Sequence, residues 1–472
     1  MRPTTPIPQP PTAGSKPCFS FLRLSAMVLC LCVTAIGIPS TVIWASTPPQ
    51  IPLFAEAPTT VPPAIAQAVP MPQVLKRWVR RQRVMTLNPA ALDIMIRPGS
   101  EARPDVTLNL FDGGPRTLDL DQSREYPKHT KVWRGRLRGE AGSDVTLVTH
   151  GTVMVGTILS NHGLYKIETI GGRLHRLIEI DEESLPPDHH PIVVPDDDPM
   201  AAPPAGASGQ QPDPTAAAAA DSVVDLLVVY TSAAKTQEGG QAAMDALIAL
   251  GVDSANQAYS NSQIALQLRL VHTAEVTYTE SGTIATDLTR LRHTSDGIMD
   301  QVHQLRDQHK ADLVALIVDN GGNSCGIAYV MTNGPRAGFA SSAFSVTARD
   351  CIANNTLAHE MGHNMGNAHD RATGGTGVFA YSYGYRDEIG RFRTVMAYAC
   401  PTVSCPRVKY FSNPNIMING RPAGIDHTLN PSNSADNARS MNEVRQIVAA
   451  WRTGTADLTP PAAPANLRII SP

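Results

Sequence analysis

The sequence predicts two folded domains of different class, a β-rich domain at residues 105–185 and an α/β domain at residues 223–453. Three observations support this division. Residues 105–181 contain short β-branched segments separated by glycine-containing turns. After residue 223, strand and helix patterns alternate. The 39 prolines of the chain are frequent before residue 75 and at 186–220 but sparse from 223 to 453. We therefore expect a mixed, mostly parallel sheet with flanking helices in the second domain.

The elements of the α/β domain follow from the spacing of apolar residues. Continuous apolar runs predict buried strands, alternation predicts a long half-buried strand, and apolar residues three or four apart predict helices. In the last helix, Ser434 is the expected N-cap and Trp451 the expected end. The elements before it are predicted as strand 223–230, helix 238–259, strand 265–278, helix 283–309 and strand 312–320.

Length and charge exclude some classes of function. The chain has 472 residues, which suits two or three domains. It contains 39 Lys+Arg and 42 Asp+Glu, a net charge of −3, so bulk electrostatic binding to nucleic acid or to an anionic membrane is not expected.

The N-terminal residues 1–45 read as a signal peptide. Basic residues precede an uncharged apolar stretch at 24–45, and small residues surround a plausible cleavage site after Ala45. The apolar stretch is also long enough to span a bilayer, so an uncleaved signal anchor is the alternative. Export predicts a secreted protein, extracellular or periplasmic, with no membrane contact if the segment is cleaved. The four cysteines beyond the leader suit two disulfides in an oxidising compartment.

Three segments have the composition of connectors. Residues 46–104 form a proline-rich leader followed by a basic cluster, which we interpret as a solvated helix face, with a protease-sensitive or anion-binding site as the alternative. Residues 186–222 are rich in Pro, Ala and Asp and should bury little. Residues 454–472 form a proline-rich tail that resembles the start of a truncated fibronectin type III module; a disordered tail is the alternative. The basic cluster consists of Lys76, Arg77, Arg80, Arg81 and Arg83.

One cluster of residues carries the chemistry. His359 and His363 are four apart and stack on one face of a helix, so both imidazoles can reach one ion. Gly366 stands where the helix should stop, because glycine adopts positive φ without steric cost. The resulting turn lets His369 approach the same ion. Three neutral imidazoles and a water complete an open zinc site, and Glu360 is positioned to accept the proton of that water as general base.

These residues, HEMGHNMGNAHD, resemble the signature of the metzincin zinc endopeptidases. TVMAY at 394–398 stands where that clan has its methionine turn, which implies that Met396 forms the hydrophobic base of the site. The resemblance leaves two roles open for Tyr398, which either stabilises the transition state or only packs against its neighbours. Further segments extend the resemblance over 223–453 to the reprolysin-like bacterial peptidyl-Asp metalloendopeptidases, and residues 105–181 resemble their propeptide. The segments are VVDLLVVYT, LRLVHT, CGIAYVM, SAFSV, FRTVMAYAC, CPRVKYFSNP and ADNARSMNEVR.

The resemblance implies further roles. The segment that begins Gly326, Ile327, Ala328 would be the antiparallel edge strand that pairs with an extended polypeptide substrate. A preference for Asp at P1′ would require a cation, for which Arg407, Lys409 and Arg393 are the candidates, ordinary surface charges being the alternative. The implied disulfides are Cys325–Cys351 and Cys400–Cys405.

The leading prediction is thus a secreted zinc endopeptidase made as a precursor. A noncatalytic adhesion or binding module of metzincin fold is the alternative, and a zinc hydrolase of non-peptide substrates is a third. Glu360 speaks against the binding module, since structural zinc needs no adjacent carboxylate. Residues 33–324 contain no cysteine, so latency should come from the protein's own propeptide, either by covering the cleft or through Asp188 or His189 at the zinc. The sequence does not indicate whether structural Ca²⁺ binds.

Overall fold

The computed structural model describes residues 49–56, 75–96, 104–195, 198 and 221–452. The predicted signal segment at 1–45 and the predicted tail at 454–472 lie outside these residues. The described residues belong to one compact unit, Pro48–Pro472. Among them, no helix is both long and apolar enough to cross a membrane.

The first part of the structure is a ten-stranded sheet, antiparallel except for one pair. Its strands are β1 (Gln50–Pro52), β2 (Phe54–Glu56), β3 (Val79–Leu87), β4 (Asp105–Asn109), β5 (Pro115–Tyr126), β6 (Thr130–Leu137), β7 (Asp144–His150), β8 (Val153–Ser160), β9 (Gly163–Gly171) and β10 (Leu174–Ile180). Their order is β1-β4-β5-β6-β7-β8-β9-β10-β3-β2, and only β1 and β4 run parallel. Helix α1 (Pro89–Ile96) follows β3, and Leu137, Leu147 and Ile167 lie in the core of this domain.

The basic cluster belongs to this sheet, which corrects two predictions. Arg80, Arg81 and Arg83 lie on β3, which pairs with β10, so the cluster is not a helix face and the domain begins well before residue 105. Arg81 Nε donates to Glu179 of β10 at 2.5 Å. A run of arginines shows no clear period, so its partners on the neighbouring strand, rather than local pattern, decide the strand.

The second part contains a six-stranded mixed sheet, as the sequence predicts. Its strands are β11 (Ile192–Val193), β12 (Ser222–Thr231), β13 (Leu266–Val276), β14 (Leu313–Val318), β15 (Gly326–Val330) and β16 (Phe344–Ala348). The order is β11-β15-β16-β14-β12-β13. Strands β13, β12, β14 and β16 run parallel, and β15 is antiparallel to β16. Strand β15 would form the edge of this sheet if β11 did not pair with it.

Helices cover the sheet, and short hairpins follow it. The helices are α2 (Ser232–Glu238), α3 (Gln241–Asn261), α4 (Ile284–Arg292), α5 (Gln301–His309), α6 (Thr356–Asn364) and α7 (Asn437–Val448). The short strands are β17 (Ala368–Asp370), β18 (Tyr383–Gly384), β19 (Arg386–Asp387), β20 (Phe392–Arg393), β21 (Asn413–Ile418) and β22 (Arg421–Ala423). The disulfides Cys325–Cys351 and Cys400–Cys405 form as predicted.

Two helix predictions are wrong in detail. The single helix expected at 283–309 is two helices, because a turn with Gly297 at φ +79° separates α4 from α5. The last helix is capped by Asp436, whose carboxylate accepts from Arg439 N at 3.0 Å, and not by Ser434. An N-cap oxygen must lie within reach of an N–H two or three residues ahead, and Ser434 precedes the helix by too much. The helix ends at Val448, before Trp451.

The two domains are joined by a hydrophobic contact. Helix α3 packs on β6, β7 and β8, and Val132, Val148 and Val155 of those strands join the apolar core of the α/β domain. A buried ion pair reinforces the contact: Arg134 Nε lies 2.5 Å from a carboxylate oxygen of Asp253, whose side chain is fully buried. The β-rich domain is therefore packed directly on the helix that lies behind the sheet.

The start of the segment that follows the β-rich domain, residues 186–195, is also packed, which corrects for these residues the prediction that residues 186–222 bury little. Residues 199–220 of the predicted linker lie outside the described residues. Asp188 is buried, and β11 pairs with β15. Composition describes what a segment can bury by itself. Here the open edge of a neighbouring strand and an ion pair supply partners that composition does not show.

Candidate active site

Three histidines converge at one point of the α/β domain. His359 and His363 lie on α6, and His369 lies on β17 just beyond the helix. Their Nε2 atoms are 3.0 to 3.1 Å apart in each of the three pairs. Gly366 has φ +86° and turns the chain between the helix and His369, as the sequence predicts.

The protonation of these rings shows that the cluster fits a cation. His359 Nδ1 donates to Val395 O at 2.8 Å and His363 Nδ1 donates to Asn367 O at 2.7 Å. A neutral imidazole has one N–H, so the Nε2 atoms of both rings carry lone pairs. Burial lowers the pKa of His359 to about 4. Burial, with the neighbouring imidazoles, also holds the pKa values of His363 and His369 far below the ordinary value. Lone pairs that converge in a buried place are the donor set of a zinc site.

Glu360 lies beside this cluster without a hydrogen-bond partner. Both of its carboxylate oxygens are buried, and neither has a hydrogen bond to the described residues. Burial raises the pKa of Glu360 well above its ordinary value, and the nearby Asp188 carboxylate raises it further, opposed by Arg407. A buried carboxylate without partners is costly unless a cation or a water completes it. This orphaned group is a second observation that fits a metal with its water.

The first residue of β15 leaves room for this carboxylate. A Cβ built on Gly326 would lie 2.3 Å from Glu360 Oε1 and 2.7 Å from Thr356 Cγ2. Any side chain at this position would therefore displace the Glu360 carboxylate or the strand. The predicted edge strand, which continues through Ile327 and Ala328, thus borders the site directly.

A segment of the protein itself lies along this strand. Cys325 N donates to Pro187 O at 2.9 Å, and His189 N donates to Gly326 O at 2.8 Å. Further along, β11 pairs with β15 in parallel, with Ile192 opposite Tyr329. Residues 187–193, which we call the pro-segment, therefore run in the same direction as β15.

The pro-segment places Asp188 in the site. One carboxylate oxygen of Asp188 accepts from Arg407 Nη2 at 2.5 Å, and the other accepts from Thr356 Oγ1 at 3.2 Å. The same carboxylate lies 3.7 Å from His359 Nδ1, the ring atom that faces away from the shared Nε2 cluster. Burial alone would raise the pKa of Asp188, but Arg407 and His359 outweigh it and hold that pKa well below its ordinary value.

The three basic residues predicted as candidates for binding Asp at P1′ have different positions and partners in the structure. Arg407 lies in the site, buried, and pairs with Asp188. Arg393 lies next to Arg407, because a backbone β-bridge joins the two residues, and its side chain donates to Ala397 O at 2.9 Å. Lys409 instead bonds the β-rich domain through Asp144 and through Thr146 Oγ1, the latter at 2.8 Å.

Met396 and Tyr398 both lie close to the histidine cluster. A Cβ added at Gly362, between His359 and His363 on α6, would lie 2.4 Å from the Met396 sulfur, so Met396 packs directly against the helix. The Tyr398 ring centroid is 4.4 Å from that of His369, and its hydroxyl donates to the carbonyl oxygen of Asp188. Burial raises the pKa of Tyr398, so its phenol stays protonated.

Two residues that line the site were missed in the sequence. Thr356 is three positions before His359 and hence on the same helix face, a spacing that could have indicated it. Glu182 accepts from Arg407 N at 3.1 Å and lies 3.7 Å from Arg393 Nη2. No local pattern marks Glu182, because its partners are more than two hundred residues away.

Known proteins resemble this chain over most of its length. A family model for reprolysin-like metallopeptidases of family M12B matches residues 220–428. The peptidyl-Asp metalloendopeptidase of Stenotrophomonas maltophilia (strain R551-3) is 34% identical over 380 residues, which cover 76% of this chain and 86% of that protein. The protein of the same name from Xanthomonas campestris pv. campestris is 31% identical over 419 residues, 85% of this chain and 94% of its own. That of Pseudomonas aeruginosa is 34% identical over 251 residues, 48% of this chain and 40% of its own.

Proposed function

Because the chain belongs to the reprolysin-like M12B metallopeptidases and is a zinc-dependent metalloendopeptidase, we propose that it is secreted as a latent precursor and cleaves polypeptides before aspartate. One observation carries this proposal. A buried arginine, Arg407, holds the carboxylate of an aspartate beside a histidine cluster and an unpartnered glutamate.

The chemistry assigns a role to each residue of the cluster. His359, His363 and His369 would hold zinc through Nε2, and Nδ1 bonds to Val395 O and Asn367 O fix the orientation of the first two rings. When bound there, zinc would supply a water with its pKa lowered toward about 7 and a Lewis acid for the scissile carbonyl.

Glu360 moves the proton. Its carboxylate accepts a proton from the attacking water while the water oxygen bonds to the carbonyl carbon. The same carboxyl group then donates that proton to the amide nitrogen as the C–N bond breaks, which releases an amine and a carboxylate.

The edge strand orients the substrate. An extended peptide that pairs antiparallel with β15 would hydrogen-bond to the backbone groups that now bond Pro187 and His189. An Asp side chain at P1′ would take the place of the Asp188 carboxylate on Arg407. A guanidinium suits this task because its N–H groups are fixed in a fork and stay charged when buried. The Tyr398 hydroxyl, now bonded to Asp188 O, would be free to donate to the substrate or to the transition state.

The pro-segment supports latency of the precursor. It occupies the strand edge that a substrate needs, and it runs parallel to β15, opposite to the direction proposed for a substrate. A cleavage near residues 215–222 would separate it, with the β-rich domain, from the α/β domain. The predicted signal segment at 1–45 and the two disulfides support export to an oxidising compartment.

A noncatalytic binding module is the competing function. Such a module needs no proton acceptor at its metal, whereas here Glu360 is kept buried, and Gly326 leaves the space for it. These two features favour the enzyme.

Mapping of cleavage sites tests the proposal. The secreted product is incubated with a peptide library, and the products and the enzyme's own N-terminus are identified by mass spectrometry. We expect cuts before Asp, loss of cutting with a zinc chelator, recovery on adding Zn²⁺, and a mature N-terminus beyond residue 198. Cuts without enrichment of Asp at P1′ would refute the specificity, and a secreted product that keeps residues 187–193 while fully active would refute the latency.

A further inference from the structure

Two arginines lie together beside the site, and both are paired with acids of the precursor's N-terminal half. Arg407 and Arg393 are neighbours across a β-bridge, and the side chains of both are at most 5% exposed. Among the described residues, their salt-bridge partners are Asp188 for Arg407 and Glu182 for Arg393. Both acids precede the proposed cleavage region and leave with the β-rich domain.

The two acids occupy different positions on this arginine pair. Asp188 bonds the end of the Arg407 side chain, Nη2. One oxygen of Glu182 instead lies between the Arg407 backbone N–H, at 3.1 Å, and Arg393 Nη2, at 3.7 Å. The second position is thus an anion site made of one backbone donor and one guanidinium.

Removal of the precursor's N-terminal half leaves this pair short of negative charge. The other side-chain contacts of Arg393 are the carbonyl oxygens of Ala397 and Cys405. Arg407 keeps the carbonyls of Asn354 and Ala397, and its Nε has no partner among the described residues. Two adjacent guanidiniums that lack carboxylates favour binding of two anions. An Asp at P1′ supplies one of them.

We infer that the processed enzyme has a second acid-selective subsite, formed by Arg393 and the backbone N–H of Arg407, which takes a carboxylate of the substrate beyond P1′. This inference rests on the proposed function, because it assumes that Arg407 binds Asp at P1′. The ligand class is an acidic peptide with two carboxylates, in which the second is either an acidic side chain or the C-terminal carboxylate.

Matched peptides test this subsite. Each contains one Asp and an amidated C-terminus, and Glu replaces Gln at P2′, P3′ or P4′ in turn; a further pair ends two to four residues after the Asp with a free or an amidated C-terminus. At one of these positions we expect the carboxylate to raise kcat/KM about tenfold, the effect of one charge-assisted hydrogen bond. The free-terminus pair distinguishes a side-chain carboxylate from a terminal one.

Variants connect the preference with Arg393. Arg393→Gln should bring the ratio of the paired kcat/KM values to about one, whatever its absolute rate, and Arg393→Lys should keep part of the preference. The exposed Arg391, two residues away, is the matched control, and Arg391→Gln should keep the full ratio. If the Arg393 variants fail to fold, the matched peptides with the wild-type enzyme still decide whether a carboxylate beyond P1′ is preferred.

Two results would overturn the inference. One is a ratio near one for every peptide pair with the wild-type enzyme, and the other is a preference that survives Arg393→Gln. Failure of the proposed function looks different: the enzyme would then cut without preference for Asp at P1′, irrespective of the residues that follow.

Discussion

Replacing Asp188 by Asn in the precursor should open the active-site cleft. The Asp188 and Arg407 side chains are 3% and 2% exposed, so their ion pair is fully enclosed. Removing one charge of such a pair typically costs about 3–5 kcal/mol, because the other charge stays buried without a partner. Asn keeps the size of the side chain and an oxygen for Thr356, so we expect the lower end, about 3 kcal/mol. That energy shifts the equilibrium between the covered and the open cleft roughly 100-fold.

A binding assay without turnover measures this shift. All chains carry Glu360→Gln, so that the precursor stays intact, and a fluorescein-labelled peptide with one Asp reports binding by anisotropy. We expect the apparent affinity to rise by up to about 100-fold in the Asp188→Asn chain, since the apparent Kd falls as the open fraction grows. The exposed neighbour Glu183 provides the control, and Glu183→Gln should leave the affinity unchanged. Unchanged affinity in Asp188→Asn, with an unchanged thermal unfolding temperature, would refute the role of this ion pair in latency.

Three further predictions concern the processed enzyme. Glu360→Gln should keep zinc, measured by elemental analysis, but lose at least about 10³-fold in rate, as expected for a general base; near-normal turnover would refute the mechanism. Gly326→Ala should cost about 1–3 kcal/mol of stability by overpacking, measured by thermal unfolding, and reduce the rate in peptide assays about 10²-fold or more, because its Cβ would lie 2.3 Å from Glu360 Oε1; an unchanged rate would contradict the role given to this contact. Arg407→Ala should abolish the preference for Asp at P1′ in a cleavage map, whereas Lys409→Ala, whose side chain bonds the β-rich domain, should keep it; an unchanged map for Arg407→Ala would contradict its assignment.

The parts of the molecule that the sequence predicts well are those that depend on local spacing. The histidines at 359 and 363, the turn at Gly366 and the third histidine at 369 follow from the period of a helix and from the backbone of glycine. The buried strand β14 follows from an uninterrupted apolar run, and β12 follows from an apolar run interrupted only by Asp225. Each of these signals lies within about ten residues of chain.

The predictions that failed concern elements whose neighbours decide their structure. Arg80, Arg81 and Arg83 of the basic cluster lie on a strand that pairs with β10, where Glu179 accepts from Arg81, and no period in the cluster marks this. Helix 283–309 divides at a short turn around Gly297, where a continuous apolar pattern indicated one helix. In both cases the local pattern is compatible with two structures, and packing selects one.

The sequence by itself predicted the fold class, the cluster of three histidines and Glu360, because a site of this chemistry needs fixed residue types at fixed helical offsets. Only the tertiary structure decided which basic side chain lies in the site and which carboxylate pairs with it. The sequence offers three basic candidates, Arg407, Lys409 and Arg393, and does not distinguish them. The fold brings Arg407 to Asp188, 219 residues away in the chain, whereas Lys409 bonds to the β-rich domain. Ion pairs between distant segments depend on how sheets and helices pack, and no local pattern records that packing.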